Sequence, residues 1–334
     1  MNSKPFYIAG VGAYLAPRQT AAEAIAAGKY DAESARINDV ASACVEPTLY
    51  PAEMAAIAGR AALKMAGHRA RNVRAVFHSY VDYQGAHYWQ AAPYVAMHTV
   101  GPSVPAFDVV QECNGGMASI ELGRRFLDDE QDAVLITTGD RFDSPWISRW
   151  YGDQSVLADG GSALVLSAAG GFAKVTALVT QADNSLEAEA RGASFRPAGD
   201  QGVIDFDLMR KQFYAGAVPM LEHYGRMEVV LRRCVERVMA EGGITAQDLG
   251  YLIPVVTTKP RAEVIAERFF GIPVERTNWP FGRTTGHLST GDQFAGLHEL
   301  VTTGKARRGD RILLLGGGTG YTVTAALIEI EEDL

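Results

Sequence analysis

Cys113 is the residue of this chain whose type and setting point most directly to chemistry. It lies in the segment QECNGG (111–116), after a short predicted strand at 107–110 and before an apolar helical pattern. A cysteine where a helix begins lies near unsatisfied backbone N–H groups and the positive end of the helix dipole, which favour the thiolate. The glycines that follow leave room for a substrate to approach. The segment therefore predicts a nucleophilic cysteine on a sharp turn.

The other two cysteines, Cys44 and Cys234, give no such signal. Cys234 belongs to an apolar helical stripe with Met227, Val230 and Val238, which is typical of a packed core helix, and Cys44 has no distinguishing neighbours. Three widely spaced cysteines form neither a disulfide framework nor the paired spacing of a zinc site. We therefore expect at least one free thiol and no metal.

The composition excludes several classes of protein. The chain has 334 residues, with 31 Lys and Arg against 39 Asp and Glu, and its formal charge is −8. An acidic balance without a basic cluster argues against a surface for nucleic acid or anionic membranes. No segment has the roughly 18 apolar residues of a membrane span, and the first residues lack the apolar run of a signal peptide. We expect a cytoplasmic protein that binds neither nucleic acid nor membranes.

Strand-like and helical patterns alternate along the chain, which predicts an α/β fold. Strands are predicted at 6–16, 73–80, 107–110, 133–140, 159–167, 174–178, 249–256 and 311–316, and helices at 52–65, along Ala118, Leu122 and Phe126, and at 227–239, 261–270 and 289–302. The order of elements is similar in the two halves, so we infer a duplication with halves at 1–172 and 173–334. The polar segment 181–203 is expected to lie outside the sheets.

Four segments, in order along the chain, resemble the β-ketoacyl-acyl-carrier-protein synthase III family of the thiolase superfamily. They are DVVQECNGG (108–116), DGGSALVL (159–166), TTGHLS (284–289) and GDRILLLGGG (309–318), and the resemblance runs from about residue 6 to 330. It implies a duplicated thiolase fold, an αβαβα five-layer sandwich, and a homodimer. It also implies that Cys113 carries an acyl group and that the N–H groups of Cys113 and Gly317 form an oxyanion hole.

The chain departs from the decarboxylating members of this family at two positions. Those members have a histidine after the proline of the strand at 249–256, where this chain has Val255, and an asparagine where this chain has His287. Val255 neither donates a hydrogen bond nor accepts a proton, which predicts that decarboxylative condensation is crippled. His287 beside Cys113 instead supplies a base that first draws the thiol proton and then activates an acceptor.

Asp292, five residues after His287, is a candidate partner that orients the imidazole. The pattern Ser289-Thr-Gly-Asp292 also fits a helix capping box, in which Asp292 only binds a backbone N–H at the start of its helix. The two roles are compatible, and the sequence leaves both open.

Cys113, His287 and Asp292 together resemble the replacements found in ketosynthase III-like acyltransferases of secondary metabolism, including antibiotic biosynthesis. The leading hypothesis is therefore an acyltransferase that moves an acyl group through acyl-Cys113 to a hydroxyl or amine of a small scaffold of sugar or cyclitol type. One alternative is an atypical ketosynthase that forms a carbon–carbon bond. Another is a non-catalytic partner of a ketosynthase.

The resemblance implies a thioester donor, on an acyl carrier protein or coenzyme A, and no tightly bound cofactor. Many family members hold the adenine of coenzyme A with a tryptophan segment that has no clear counterpart between residues 16 and 42, which favours a carrier protein. Tyr88 and Trp89 lie in an aromatic cluster, in the region that the family uses for the acyl pocket and for subunit contact. Either role suits these side chains.

Overall fold

The computed structural model describes residues 5–150, 154–189, 191, 195, 204, 206–216 and 218–333. The strands found there are β1 (Phe6–Leu15), β2 (Arg18–Thr20), β3 (Ser42–Cys44), β4 (Asn72–Ser79), β5 (Ala106–Val109), β6 (Asp132–Asp140), β7 (Gly160–Ser167), β8 (Ala173–Ala182), β9 (Tyr251–Ile253), β10 (Arg311–Gly318) and β11 (Thr322–Ile330). The helices are α1 (Ala21–Ala26), α2 (Ala32–Asn38), α3 (Pro51–Ala66), α4 (Ala92–Met97), α5 (Gly115–Gly123), α6 (Phe206–Gly216), α7 (Met220–Gly242), α8 (Lys259–Glu263), α9 (Trp279–Thr285) and α10 (Asp292–Thr302).

Nine of the strands form one mixed sheet in the order β5-β4-β6-β7-β1-β8-β11-β10-β9. The strands near both edges, β5-β4-β6 and β9-β10, are parallel, whereas those between them are antiparallel. At the centre, β1 meets β8 only where Phe6–Ile8 pairs with Ala173–Val175. The sheet therefore consists of an N-terminal half-sheet, β5-β4-β6-β7-β1, and a C-terminal half-sheet, β8-β11-β10-β9, which are joined by three residue pairs. The division into domains at 172/173 stays a prediction.

Helices cover and separate the two half-sheets. α3 packs on β1, β6 and β7, and α7 packs on β8 and β11. Between the half-sheets, α5 contacts β4 and β6 on one side and β10 and β11 on the other, while α10 contacts β1 and β7 as well as β9 and β10. This order of helix, sheet, helices, sheet and helix is the αβαβα sandwich expected from the sequence.

The close packing of α3 on the sheet follows from small residues on both sides. Ala55, Ala58 and Ala62 form part of its buried face. A Cβ atom at Gly10 of β1 would lie 2.0 Å from the backbone oxygen of Ala62, so only glycine allows this approach. The helix begins at Pro51, whose missing N–H needs no partner at that position.

The predicted helix along Ala118, Leu122 and Phe126 is wrong in its end and in its buried face. α5 ends at Gly123 and continues as a 3₁₀ turn. Leu122 is 44% exposed, whereas Met117 and Ile120 are fully buried. The reason lies in the tertiary packing. Because α5 lies between two half-sheets, the shape of the space between them decides which face of the helix is buried, and that face differs from the one with the most regular apolar spacing.

Two predicted elements near the site are shorter than expected. The strand predicted at 249–256 ends with β9, because Pro254 has no N–H with which to continue the ladder. The helix predicted at 289–302 begins only at Asp292, because Ser289 has a left-handed backbone, with φ of 56°, in the preceding 3₁₀ turn. In contrast, β10 continues past its predicted end at 316, since its pairing with β11 extends to Gly318.

The helix predicted at 261–270 is α8 followed by a π-helical turn, Val264–Phe270. Of the segment 181–203, β8 includes residues 181 and 182 and a 3₁₀ turn covers Asn184–Glu189. Residues 190, 192–194 and 196–203 lie outside the described part of the chain. Within the described part, no helix has the length and apolar character needed to cross a bilayer. The same residues contain no group of three or more His, Cys, Asp or Glu suited to holding a metal ion.

Candidate active site

Cys113 lies in a 3₁₀ turn, Glu112–Asn114, that joins the end of β5 to the start of α5. Glu112 adopts a left-handed backbone with φ of 48°, which makes the turn sharp. At Gly116, a Cβ atom would lie 2.4 Å from the backbone oxygen of Thr290, so this glycine lets the turn before α10 approach Cys113. The thiol is half-buried. The predicted setting of the cysteine, between a strand and a helix, is confirmed.

His287 is brought to Cys113 by the loop that follows α9. Gly286, with φ of 78°, ends that helix, and the backbone of His287 then pairs with residues 156–158: its N–H donates to Val156 at 2.8 Å, and its oxygen accepts from Ala158 at 2.9 Å. The side chain is only 4% exposed. Its Nε2 lies 3.2 Å from Sγ of Cys113, close enough for proton transfer between them.

Asp292 holds the other side of the imidazole. Nδ1 of His287 donates to Oδ2 of Asp292 at 2.6 Å. The same oxygen accepts the Val256 N–H at 2.6 Å, and Oδ1 accepts the Leu288 N–H at 2.7 Å. With three donors on a carboxylate that is 1% exposed, Asp292 is fixed in place and fixes the ring orientation of His287.

The capping box that the sequence allowed for Asp292 does not form. The residue before α10 is Gly291, which makes no side-chain cap. Asp292 instead reaches back four residues to the N–H of Leu288. It satisfies backbone amides outside its own helix while it also binds His287.

The electrostatics of the three side chains favour a charged imidazole. Burial alone lowers the pKa of His287, but the negative charges of Asp292 and of the Cys113 thiolate, with their hydrogen bonds, raise that pKa well above its usual value. The raised pKa of His287 allows its imidazole to hold a proton next to Sγ of Cys113. The arrangement can activate a sulfur nucleophile and hold its proton nearby.

Two hydrogen bonds from side-chain hydroxyls join the turn between His287 and Asp292 to strands β4 and β7. Thr290 Oγ1 donates to the backbone oxygen of Ser79 at 3.1 Å, and Ser162 Oγ donates to that of Gly291 at 3.0 Å. These residues were not predicted from the sequence. The one feature of the sequence that could have indicated Ser162 is its polar hydroxyl within the otherwise apolar strand segment DGGSALVL.

Gly317 lies within β10, in a run of three glycines beside the Cys113 turn. A Cβ atom at Gly316 would lie 2.6 Å from Asn114 Oδ1, and one at Gly318 would lie 2.6 Å from the backbone oxygen of Gln111. A Cβ atom at Gly317 would meet nothing within 4 Å, so this residue faces open space. A role for the amides of Gly317 and Cys113 as an oxyanion hole stays a prediction.

The sequence also singled out three further positions, Val255, Tyr88 and Trp89. Val255 follows Pro254 and is half-buried, with the Asp292-bound amide of Val256 next to it. Tyr88 is fully exposed, with φ of 57°, and Trp89 is 40% exposed, its ring centre 6.0 Å from that of Tyr94. A role for Tyr88 and Trp89 in an acyl pocket or a subunit contact stays a prediction.

Comparison with known proteins shows what the chain resembles. Residues 239–330 match the family described as 3-oxoacyl-[acyl-carrier-protein (ACP)] synthase III, C terminal. The beta-ketoacyl-[acyl-carrier-protein] synthase III of Clostridium perfringens is 25% identical over 240 residues, which are 67% of this chain and 68% of that protein.

Solved structures are similar over nearly the full length. The structure of ChlB3, an acyltransferase, superposes with a TM-score of 0.92 at 28% identity and covers 98% of both chains. The 3-oxoacyl-[acyl-carrier-protein] synthase III of Aquifex aeolicus superposes with a TM-score of 0.77 at 20% identity, over 97% of this chain and 99% of that one. The second likeness concerns the fold alone. Together they confirm the fold class predicted from the sequence.

Proposed function

We propose that the chain, which resembles ketosynthase III-like proteins of the thiolase fold, is an acyltransferase working through an acyl-Cys113 intermediate. The observation that carries the proposal is the contact chain from Sγ of Cys113 through His287 to Asp292, with distances of 3.2 and 2.6 Å. It has the nucleophile, base and orienting carboxylate of acyl-transfer sites. Val255, where decarboxylating relatives have histidine, supports transfer over condensation.

In the first step, Cys113 takes the acyl group from a thioester. His287 Nε2 accepts the thiol proton, and the thiolate attacks the carbonyl carbon. The N–H groups of Cys113 and Gly317 stabilise the oxyanion. The bond between the acyl carbon and the donor sulfur then breaks, and the departing thiolate takes the proton from His287.

In the second step, the acyl group moves to the acceptor. Acylation removes the negative charge of Cys113, which is one of the causes of the raised pKa of His287. The pKa of His287 therefore falls, and the neutral imidazole accepts the proton of an incoming hydroxyl or amine. The acceptor forms its bond to the acyl carbon while the bond to Cys113 breaks, which restores the thiolate beside the imidazolium.

The donor in this proposal is an acyl carrier protein or coenzyme A thioester, with no tightly bound cofactor. The synthase relatives are named for an acyl carrier protein, and ChlB3 is named as an acyltransferase. The acceptor is a sugar-like or cyclitol-like scaffold of secondary metabolism, and the protein works in the cytoplasm.

We further propose a homodimer formed at the β5 edge of the sheet. β5 has a strand neighbour only on its β4 side within the described chain. Phe107 of β5 is 44% exposed, and the exposed Tyr88 and Trp89 follow β4. Large exposed aromatic residues beside an open strand edge are typical of a surface that another subunit covers.

Mass spectrometry after incubation with acyl-carrier protein or acyl-coenzyme A tests the acyl-enzyme. We expect an adduct on Cys113 that Cys113→Ala abolishes. Cys44→Ala and Cys234→Ala are matched controls, because burial raises the pKa of these thiols to about 11 and about 12. An adduct that persists in Cys113→Ala would contradict the proposal.

Acyl-Cys113, formed from an acyl thioester and then offered malonyl-carrier protein together with an alcohol acceptor, separates transfer from condensation. We expect the alcohol to receive the acyl group from Cys113 as an ester, with no release of carbon dioxide. Release of carbon dioxide with a β-keto product would instead identify an atypical ketosynthase. A protein that no donor acylates and that copurifies with a ketosynthase would be the non-catalytic partner.

A further inference from the structure

Two buried carboxamides occupy equivalent places behind the candidate active site. Asn114 directly follows Cys113, and Gln293 directly follows Asp292. Both side chains are fully buried. Each donates one hydrogen bond toward the β10–β11 hairpin, the element that carries Gly317.

Asn114 fixes the hairpin from the nucleophile side. Its Nδ2 donates to Thr324 Oγ1 of β11 at 3.1 Å, and that hydroxyl lies 3.1 Å from Thr180 Oγ1 of β8. Its side chain also lies against the two glycines on either side of Gly317: Cβ atoms there would lie 2.6 Å from Asn114 Oδ1 and 3.1 Å from Asn114 Cβ. Asn114 therefore sets the distance between the Cys113 turn and this part of β10.

Gln293 fixes the same strand from the side of α10. Its Nε2 donates to the backbone oxygen of Leu315 at 2.9 Å. β9 pairs with β10 only as far as Leu314, so Gln293 supplies a donor just where the strand partner ends. Leu315 is two residues from Gly317, and Gln293 thus links the helix that holds Asp292 to the start of the glycine run.

The remaining oxygen of each carboxamide has no hydrogen-bond partner among the described residues. A buried polar atom without a partner lowers stability, and an apolar side chain of similar shape would avoid that cost. The placement of these two amides is therefore better explained by the geometry that they impose than by the stability that they provide.

Building on the proposed function, we infer that Asn114 and Gln293 are positioning residues that hold β10, and with it the Gly317 N–H, in register with Cys113 and Asp292. An oxyanion donor acts only within about 2.7–3.1 Å of the developing charge, and a displacement of about 1 Å costs on the order of 10²-fold in rate. The hydrogen bonds of Asn114, next to Cys113, and of Gln293, next to Asp292, keep the oxyanion hole at a fixed distance from the nucleophile.

The Gln293→Met variant tests this inference, because methionine has a similar length and lacks the donor to Leu315. At a temperature where the variant is fully folded, we expect acylation of Cys113 and transfer to the acceptor both to slow by at least about 10-fold. The KM for the donor and the acid limb of the pH profile should not change, since His287 and Asp292 keep their contacts. Asn114→Ala should show the same pattern.

Ser167→Ala is the matched control. This variant also loses a hydrogen bond from a buried side chain to a backbone oxygen, that of Arg69 at 2.8 Å. Ser167, however, is the last residue of β7, whereas the contact of β7 with the turn before α10 is made by Ser162, near its start. We expect a lower melting temperature with normal acylation. Acylation of Gln293→Met at the wild-type rate would overturn the inference alone. A wild-type protein that forms no acyl-Cys113 would overturn the proposed function and this inference with it.

Discussion

Nε2 of His287 lies 3.2 Å from Sγ of Cys113, although 174 residues separate them along the chain. One residue comes from the turn before α5 and the other from the loop after α9. Both α5 and α10, which follow these two turns, lie in the layer between the half-sheets. The contact therefore depends on how the two halves of the fold pack together.

Replacing His287 by alanine should separate the two chemical steps. Without the base, transfer to the acceptor should fall by at least about 10². Acylation of Cys113 should remain detectable but slow, because the start of α5 still favours the thiolate. Mass spectrometry of the acyl-enzyme and product assays give the two rates. His298→Ala, at a half-buried position of α10, is the control and should retain both acylation and transfer. An equal loss of acylation and transfer in His287→Ala would contradict separate roles for His287 in the two steps.

The Asp292→Asn variant should lower both transfer and stability. Both carboxylate oxygens accept backbone N–H groups, from Val256 and Leu288, and an amide can replace only one of them. The buried amide left without an acceptor should cost about 1–3 kcal/mol in the free energy of unfolding.

The pH profile of this variant shows whether Asp292 also acts on His287. Its negative charge raises the pKa of His287, so the acid limb of the transfer rate should move to lower pH in Asp292→Asn. A loss of stability with an unchanged pH profile would leave Asp292 as a structural acceptor only.

Asp140 should make the stability of the protein depend on pH. Burial raises the pKa of its carboxyl to about 7, above the value of 3.8 expected when unfolded. Between these values the folded state binds a proton that the unfolded state does not, so this contribution is greatest at low pH and is lost as pH rises toward 7. The free energy of unfolding should fall with a slope of at most about 1.4 kcal/mol per pH unit from this group.

Denaturant titrations between pH 4 and 8 measure this slope. Asp140→Asn keeps an oxygen for the N–H groups of Val81 and Asp82 and should become more stable, relative to the wild type, as pH rises. Asp143→Asn, at an exposed carboxyl that pairs with Arg141 at 2.7 Å, is the control for a substitution at the surface. The same slope in wild type and Asp140→Asn would show that Asp140 is ionised throughout.

Placing a charge at Trp89 should weaken the proposed dimer. The Trp89→Lys variant should raise the dissociation constant by about 30-fold, the effect of losing roughly 2 kcal/mol from a central aromatic contact. Sedimentation over a range of concentrations measures it. Leu221→Lys, at an 83% exposed position of α7, is the control. A molecular mass that is the same for both variants and the wild type would contradict a contact at Trp89.

The sequence by itself predicted a nucleophilic role for Cys113 and determined the course of most of the fold. Cys113 is recognisable because its signal is local: a strand, a turn with two glycines and a helix follow each other within a few residues. The α/β alternation is local for the same reason, since each strand or helix shows its own period. His287 and the meaning of Val255 came from resemblance to a family, because neither residue has a local pattern that marks it.

Only the tertiary structure decided which groups Asp292, Asn114 and Gln293 contact. The partners of Asp292 come from the loop after β9 and from the turn before α10, and those of the two amides come from β10 and β11. Hydrogen bonds between groups distant in sequence leave no periodicity for a sequence to display. The start of α10 was misplaced for a related reason, since the left-handed backbone of Ser289 is held by packing around the site and opposes its intrinsic preference.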